Sequence, residues 1–204
     1  MAHANAQHHT QVGNSPLAEL LFGDTRLAWL WLIIRLYAGY EWVMAGLEKL
    51  GNPVWTGPKA GTAIAGFAAG ALKKTAGNNP DVTGWYASFL QTLVIPNAVA
   101  WSWLITFGEI AVGLGLIVGL FTGIAAFFGG LLNANYLLAG TVSTNPVLFI
   151  LATWLVLAWR VAGHWGLDRW VLPALGVPGK PGPALHHGDS AGDRPSGYAA
   201  GAAR

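Results

Sequence analysis

An arginine, two glutamates and a lysine stand at 35, 41, 48 and 49 within RLYAGYEWVMAGLEKL (35–50), an otherwise largely apolar stretch. Glu109 and Asn133 lie in similarly apolar surroundings. A carboxyl group in a dry site can hold and exchange a proton, and a guanidinium can steady a developing anion. A charge at a bilayer centre costs from ~2.5 to ~17 kcal/mol, so such groups should face a protein interior and find partners there. The helical period sets which of them share a face. Arg35, Gly39, Trp42, Gly46 and Lys49 lie along one stripe, and Ala38, Glu41, Ala45 and Glu48 along the next.

Depth gives a second constraint. At 1.5 Å per residue, Arg35 lies ~12 Å into a span that begins at residue 27, with Glu109 and Asn133 each ~15 Å from one end of their own spans. All three therefore fall near a common midplane, and the expectation is an Arg35–Glu109 pair with Asn133 and Glu41 completing the hydrogen bonds. Such a pair can equally do no more than fix helix register, and that alternative stays open beside a catalytic one. Glu41, ~21 Å along its span with no cation at its own depth, is the candidate for proton transfer. Tyr37 and Trp42 could form an aromatic platform for a cofactor, although both more often serve ordinary packing. Glu48 and Lys49 belong at the loop-side mouth.

These groups need helices to position them. The chain of 204 residues is 53% hydrophobic and 10% charged, against about 25% charged in ordinary soluble domains. Four windows, 27–47, 99–121, 123–140 and 147–163, approach the ~17–25 residues that cross a hydrocarbon core. Tryptophans at 29, 31, 101, 103, 159, 165 and 170 mark span ends, as amphipathic rings do at the headgroup level. Ala111, Gly115, Gly119 and Gly123 form a candidate close-packing seam. The expected fold is all-α, an integral membrane four-helix bundle. Interfacial or re-entrant helices should lie between spans 1 and 2 (51–96), and an interfacial helix with Asp168 and Arg169 on its solvent side should follow span 4.

Residues 1–26 read as a polar tail without a removable signal peptide, 27–175 as the membrane domain, and 176–204 as a disordered Pro/Gly/Ala tail. The absence of cysteine excludes disulfides, thiolate metal sites and dithiol relays within the chain. No metal site is expected from His8 and His9, two neighbours in a flexible segment. A formal charge of +2 with scattered basic residues does not suggest nucleic acid. Four spans would place both termini on one side, and Arg26, Arg160, Arg169 and Lys180 favour the cytoplasmic side of a cell membrane.

RLYAGYEWVMAGLEKL, GWYASFLQTLVIPNA, GEIAVGLGLIVGLFT, NANYLLAG, STNP and GLDRW, in that order, resemble the DoxX/DoxD-type membrane proteins. The long connector with GWYASFL is more similar to the DoxD branch. That resemblance implies the large subunit of a thiosulfate:quinone oxidoreductase, which oxidises thiosulfate to tetrathionate and delivers electrons to quinone beside a small DoxA-like subunit. For such a reaction the residues of this chain suited by their chemistry are Arg35, Glu41 and Glu109 as candidate catalytic residues, Tyr37, Trp42 and Asn133 for the quinone, and Glu48 and Lys49 for substrate, with Lys59 also available to the thiosulfate dianion. The competing expectation is a non-catalytic scaffold that recruits soluble redox enzymes through the GLDRW helix and the tail.

Overall fold

A computed structural model describes residues 15–177, so the expected tail at 176–204, apart from Gly176 and Val177, and the His8/His9 pair lie outside the described residues. The described residues are helical without a strand. The helices are α1 (Pro16–Phe22), α2 (Ala28–Leu50), α3 (Pro53–Thr56), α4 (Thr62–Leu72), α5 (Gly84–Phe89), α6 (Ala98–Val118), α7 (Thr122–Leu138), α8 (Asn145–Leu157), α9 (Trp159–Ala162) and α10 (Asp168–Ala174).

Four long helices, α2, α6, α7 and α8, pack together, with α2 most extensively against α6 and α7 against α8. A core of Trp31, Trp42, Leu116, Ala126 and Leu155 fills the space between them. Gly39, Gly46 and Gly113 bring α2 and α6 into backbone contact: a Cβ on Gly113 would lie 2.6 Å from Val43 N and 2.7 Å from the Gly39 carbonyl oxygen. The α2–α6 contact therefore runs along the face of α6 that holds Thr106, Glu109 and Gly113. The candidate seam from Ala111 to Gly123 does not form it. Ala111 is exposed, whereas Gly115, Gly119 and Gly123 meet Ala125, Arg35 and Trp159 respectively.

The connector at 51–96 is structured, as its length requires. Asn52 caps α3, its side chain accepting from Val54 N at 3.2 Å, and Pro53 occupies the first turn, where its missing N–H costs nothing. Beyond α5 the helix widens into a π segment at Leu90–Val94, continues as a 3₁₀ turn at Ile95–Asn97 and runs on into α6. Ile64, Ala68, Tyr86, Leu90 and Ala139 form a second core that seats α4 and α5 on the end of α7. The Tyr86 hydroxyl donates to the Asn135 carbonyl at 2.9 Å. At the opposite end, Asp24 caps the 3₁₀ turn Thr25–Leu27 and pairs with Arg26 at 2.6 Å, which holds its carboxyl below the usual carboxylate range.

The continuous helical run Gly84–Val118 is long and apolar enough to cross a membrane, whereas α7 and α8 are apolar but shorter. Helix α2 has the length, 23 residues, but its four ionisable groups and five tryptophans and tyrosines lower its mean hydropathy. The fourth expected span, 147–163, is interrupted at Ala158, where α8 ends before α9 begins. Ile33, Leu104, Phe107, Phe127, Phe128 and Leu157 are exposed around the bundle, the outward apolar surface that lipid contact requires.

Candidate functional site

Two separate polar clusters lie inside the bundle, one toward each end of α2. The first is centred on Glu109, which is 1% exposed. Tyr136 of α7 donates its hydroxyl to Glu109 Oε1 at 2.7 Å, and Lys49 Nζ lies 2.7 Å from Oε2. Lys49 and Glu109 thus form a close, largely buried charge pair. Lys49 also donates to the Ala45 carbonyl at 3.4 Å and sits 5.1 Å from the centroid of the Trp55 ring on α3. Phe67 of α4 meets the Tyr136 ring edge-on at 5.9 Å. The connector thus roofs this cluster with one aromatic ring from each of two short helices.

Asn133 lies one turn before Tyr136 on the same face of α7. It is fully buried, and neither its amide nitrogen nor its oxygen has a hydrogen-bond partner. Gly129, one turn further back, has the Trp42 indole nitrogen and Val112 against it. Trp42, Asn133 and Glu109 therefore border the same stretch of the α2–α6–α7 seam.

The second cluster joins Arg35 to the turn between α6 and α7. Arg35 is 1% exposed and lies in a slot between Gly119 and Gly166. Its Nη2 donates to the Trp165 carbonyl at 3.3 Å, while Nε and Nη1 have no partner. The buried Asp168 supplies the nearby negative charge. Asp168 also secures two helix ends: its backbone N–H donates to the Gly119 carbonyl at 2.8 Å, and its carboxylate accepts from Phe121 N at 2.6 Å and Thr122 N at 2.8 Å. The second arrangement caps the N-terminus of α7, where amides lack partners within the helix. It also holds Phe121 in the left-handed region, at φ 49°.

The expected Arg35–Glu109 pair is therefore corrected: Glu109 meets Lys49 and Tyr136, and Arg35 donates to the Trp165 carbonyl. Helical Cα–Cβ bonds tilt toward the N-terminus. In the antiparallel α2 and α6, the side chains of Arg35 and Glu109 thus lean apart, while Lys49 leans back into the bundle toward Glu109. Arg35 meets Gly119, which lies ~15 Å along α6 from Glu109. Asp168 is likewise corrected from a solvent-facing position to a buried one, because both helix ends at the α6–α7 turn need it.

Among the other expected site residues, Trp42 and Asn133 are buried at the Glu109 cluster, and Lys49 joins it rather than remaining at the mouth. Glu41 is half-buried without an ion pair or side-chain hydrogen bond among the described residues. Tyr37 and Glu48 are exposed. The bundle does not bring Glu41, Tyr37 or Glu48 into contact with Glu109. Tyr136 was not among the expected site residues, although its place on the Asn133 stripe signalled it. The role of Asp168 carried no such signal, since it depends on where a turn far away in sequence comes to rest.

Fold and site together define a helical membrane protein with ionisable groups held in its core. The chain belongs to the DoxX family, whose profile matches residues 30–139. The match takes in the whole Glu109 cluster and Arg35 but stops before Asp168. No curated protein and no solved structure matches the chain.

Proposed function

We propose that this protein is the membrane subunit of a quinone-linked oxidoreductase, with four helices crossing a cell membrane and both termini on the cytoplasmic side. The single observation that carries the reading is Glu41, a half-buried carboxyl without a side-chain partner among the described residues. Tyr37, Glu41, Met44 and Glu48 follow one another at i, i+4, i+7 and i+11, so they form one stripe on α2. Tyr37, Tyr40 and Met44 are 46%, 58% and 47% exposed. An aromatic, lipid-facing surface around a carboxyl fits a ring presented from the bilayer, and Glu41 ~20 Å along α2 is deep enough to meet one.

A quinone that accepts two electrons must also take up two protons at its ring oxygens. Glu41 is the group placed to supply one, and the flanking tyrosines orient the ring. Glu109, held by Lys49 and Tyr136, fixes the helices behind that surface. Electrons from the coupling of two thiosulfate ions into tetrathionate would enter through a small DoxA-like partner subunit at the loop-side mouth, where the exposed Lys59 attracts the dianion.

The test is thiosulfate-dependent quinone reduction in vesicles that contain both subunits. Glu41→Gln should lower turnover about 100-fold, the smallest usual effect of removing an acid–base group, whereas Glu48→Gln should leave it near wild type. Unchanged turnover in Glu41→Gln would remove the assignment.

A further inference from the structure

The inward turn of Asp168 determines what the segment from α9 to α10 presents outward. Asp168 is the segment's sole acidic residue between Trp159 and Ala174, and it is 3% exposed, committed to Phe121 N and Thr122 N. Arg160 and Arg169 remain exposed. Beside them Trp165, Leu167 and Trp170 are 57%, 41% and 66% exposed. Gly163 packs against the Asp168 side chain, so the end of α9 and the start of α10 lie together.

This surface is held in place. Leu167 N and Asp168 N donate to the carbonyls of Val118 and Gly119, and Arg35 donates to the Trp165 carbonyl. It lies at the end of the bundle where α2 begins, α6 ends and α7 begins. There Trp29, at the start of α2, is 52% exposed as well. Tryptophans at a bundle end occupy the headgroup layer of a bilayer, with their rings amphipathic across it. Cationic side chains at the same level meet whatever charge the lipid headgroups carry.

We propose that the α9–α10 surface is a binding site for anionic phospholipid headgroups. Trp165 and Trp170 set the depth, and Arg160 and Arg169 pair with the phosphates. Because its one carboxylate is turned inward, the site presents no exposed acidic side chain of its own to repel them. A soluble protein partner would be a different occupant, and the exposed tryptophans at headgroup depth favour lipid over it.

The experiment uses the full chain in phosphatidylcholine vesicles doped with spin-labelled phosphatidylglycerol or, separately, spin-labelled phosphatidylcholine. The motionally restricted fraction of each label is read by electron paramagnetic resonance. Wild type should associate with phosphatidylglycerol about 25-fold more strongly, about fivefold for each of the two arginines near an anionic surface. Arg160→Gln/Arg169→Gln should abolish that preference, whereas Lys59→Gln, in the loop at the opposite end, should keep it. Equal restriction of both labels in wild type would overturn the proposal, as would a preference that survives the double arginine variant. Added salt, which screens headgroup charge, should weaken the preference in wild type and change nothing in the double variant.

Discussion

Replacing Lys49 with methionine leaves the Glu109 carboxylate facing an apolar side chain. Glu109 is 1% exposed and the Lys49 side chain 18%, so water cannot take over as partner without opening the bundle. Removing one member of a buried pair costs about 3–5 kcal/mol, because the other charge is stranded. The Tyr136 hydrogen bond at 2.7 Å survives the change, which places the expected cost at the lower end, about 3 kcal/mol. For a chain of this size each kcal/mol moves the melting temperature about 2–4 °C, so Lys49→Met should lower it by about 6–12 °C. The assay is far-UV circular dichroism of the protein in lipid nanodiscs. Lys49→Met/Glu109→Gln, which removes both charges and keeps a polar group for Tyr136, should recover about half of the loss, about 1.5 kcal/mol, so the two substitutions are not additive. If Lys49 were instead a solvated surface cation, its pair would be worth at most about 1 kcal/mol. A shift below about 4 °C, or additive effects in the double variant, would refute the reasoning.

Gly113→Val should cost about 3 kcal/mol, the upper end of overpacking, because a Cβ there meets Val43 N at 2.6 Å and the Gly39 carbonyl oxygen at 2.7 Å, backbone atoms that cannot rotate away. Gly66→Ala, in α4 with nothing within 4 Å of the added carbon, should raise stability by roughly 0.5–1 kcal/mol; the same nanodisc melts measure both. Asp168→Ala removes the acceptor of the Phe121 and Thr122 amides at the start of α7, a loss of about 1–3 kcal/mol. Hydrogen exchange at the amides of Phe121, Thr122 and Leu167 should accelerate with it, whereas unchanged exchange at Leu167 would show that α10 holds its place without the carboxylate.

The helices were legible because their signals are local. Apolar windows, Pro146 at the start of α8 and the length of the 51–96 connector each act within a few residues, and the observed elements follow them closely. The π segment at Leu90–Val94 was not legible, since a one-residue change in hydrogen-bond register leaves the hydrophobic pattern almost unaltered. The close-packing face of α6 was misplaced for a related reason. Small residues recur both at Ala111, Gly115 and Gly119 and near Gly113, and only the partner helix decides which row is used. Gly39 and Gly46 on α2 selected the row containing Gly113.

The polar groups pose the harder problem, because depth along a helix axis locates a Cα and not the end of a long side chain. Arg35 and Glu109 lie on antiparallel helices, so the common tilt toward the N-terminus carries their charged tips in opposite directions, and each finds a partner that depth alone did not suggest. Lys49, at the end of α2, reaches inward for the same reason. Two buried polar centres toward opposite ends of one helix follow from this geometry, of which the one at Glu109 is an ion pair. Glu109 fastens α2 to α6 and α7 beneath the roof formed by α3 and α4, while Arg35 joins α2 to the Trp165 carbonyl and Asp168 joins α10 to the α6–α7 turn. Glu41 lies between these anchored ends and belongs to neither. A carboxyl left free midway along a helix fixed at both ends can exchange a proton with a ligand without loosening the bundle, and this is why Glu41, rather than the better-partnered Glu109, is the residue on which the oxidoreductase reading depends.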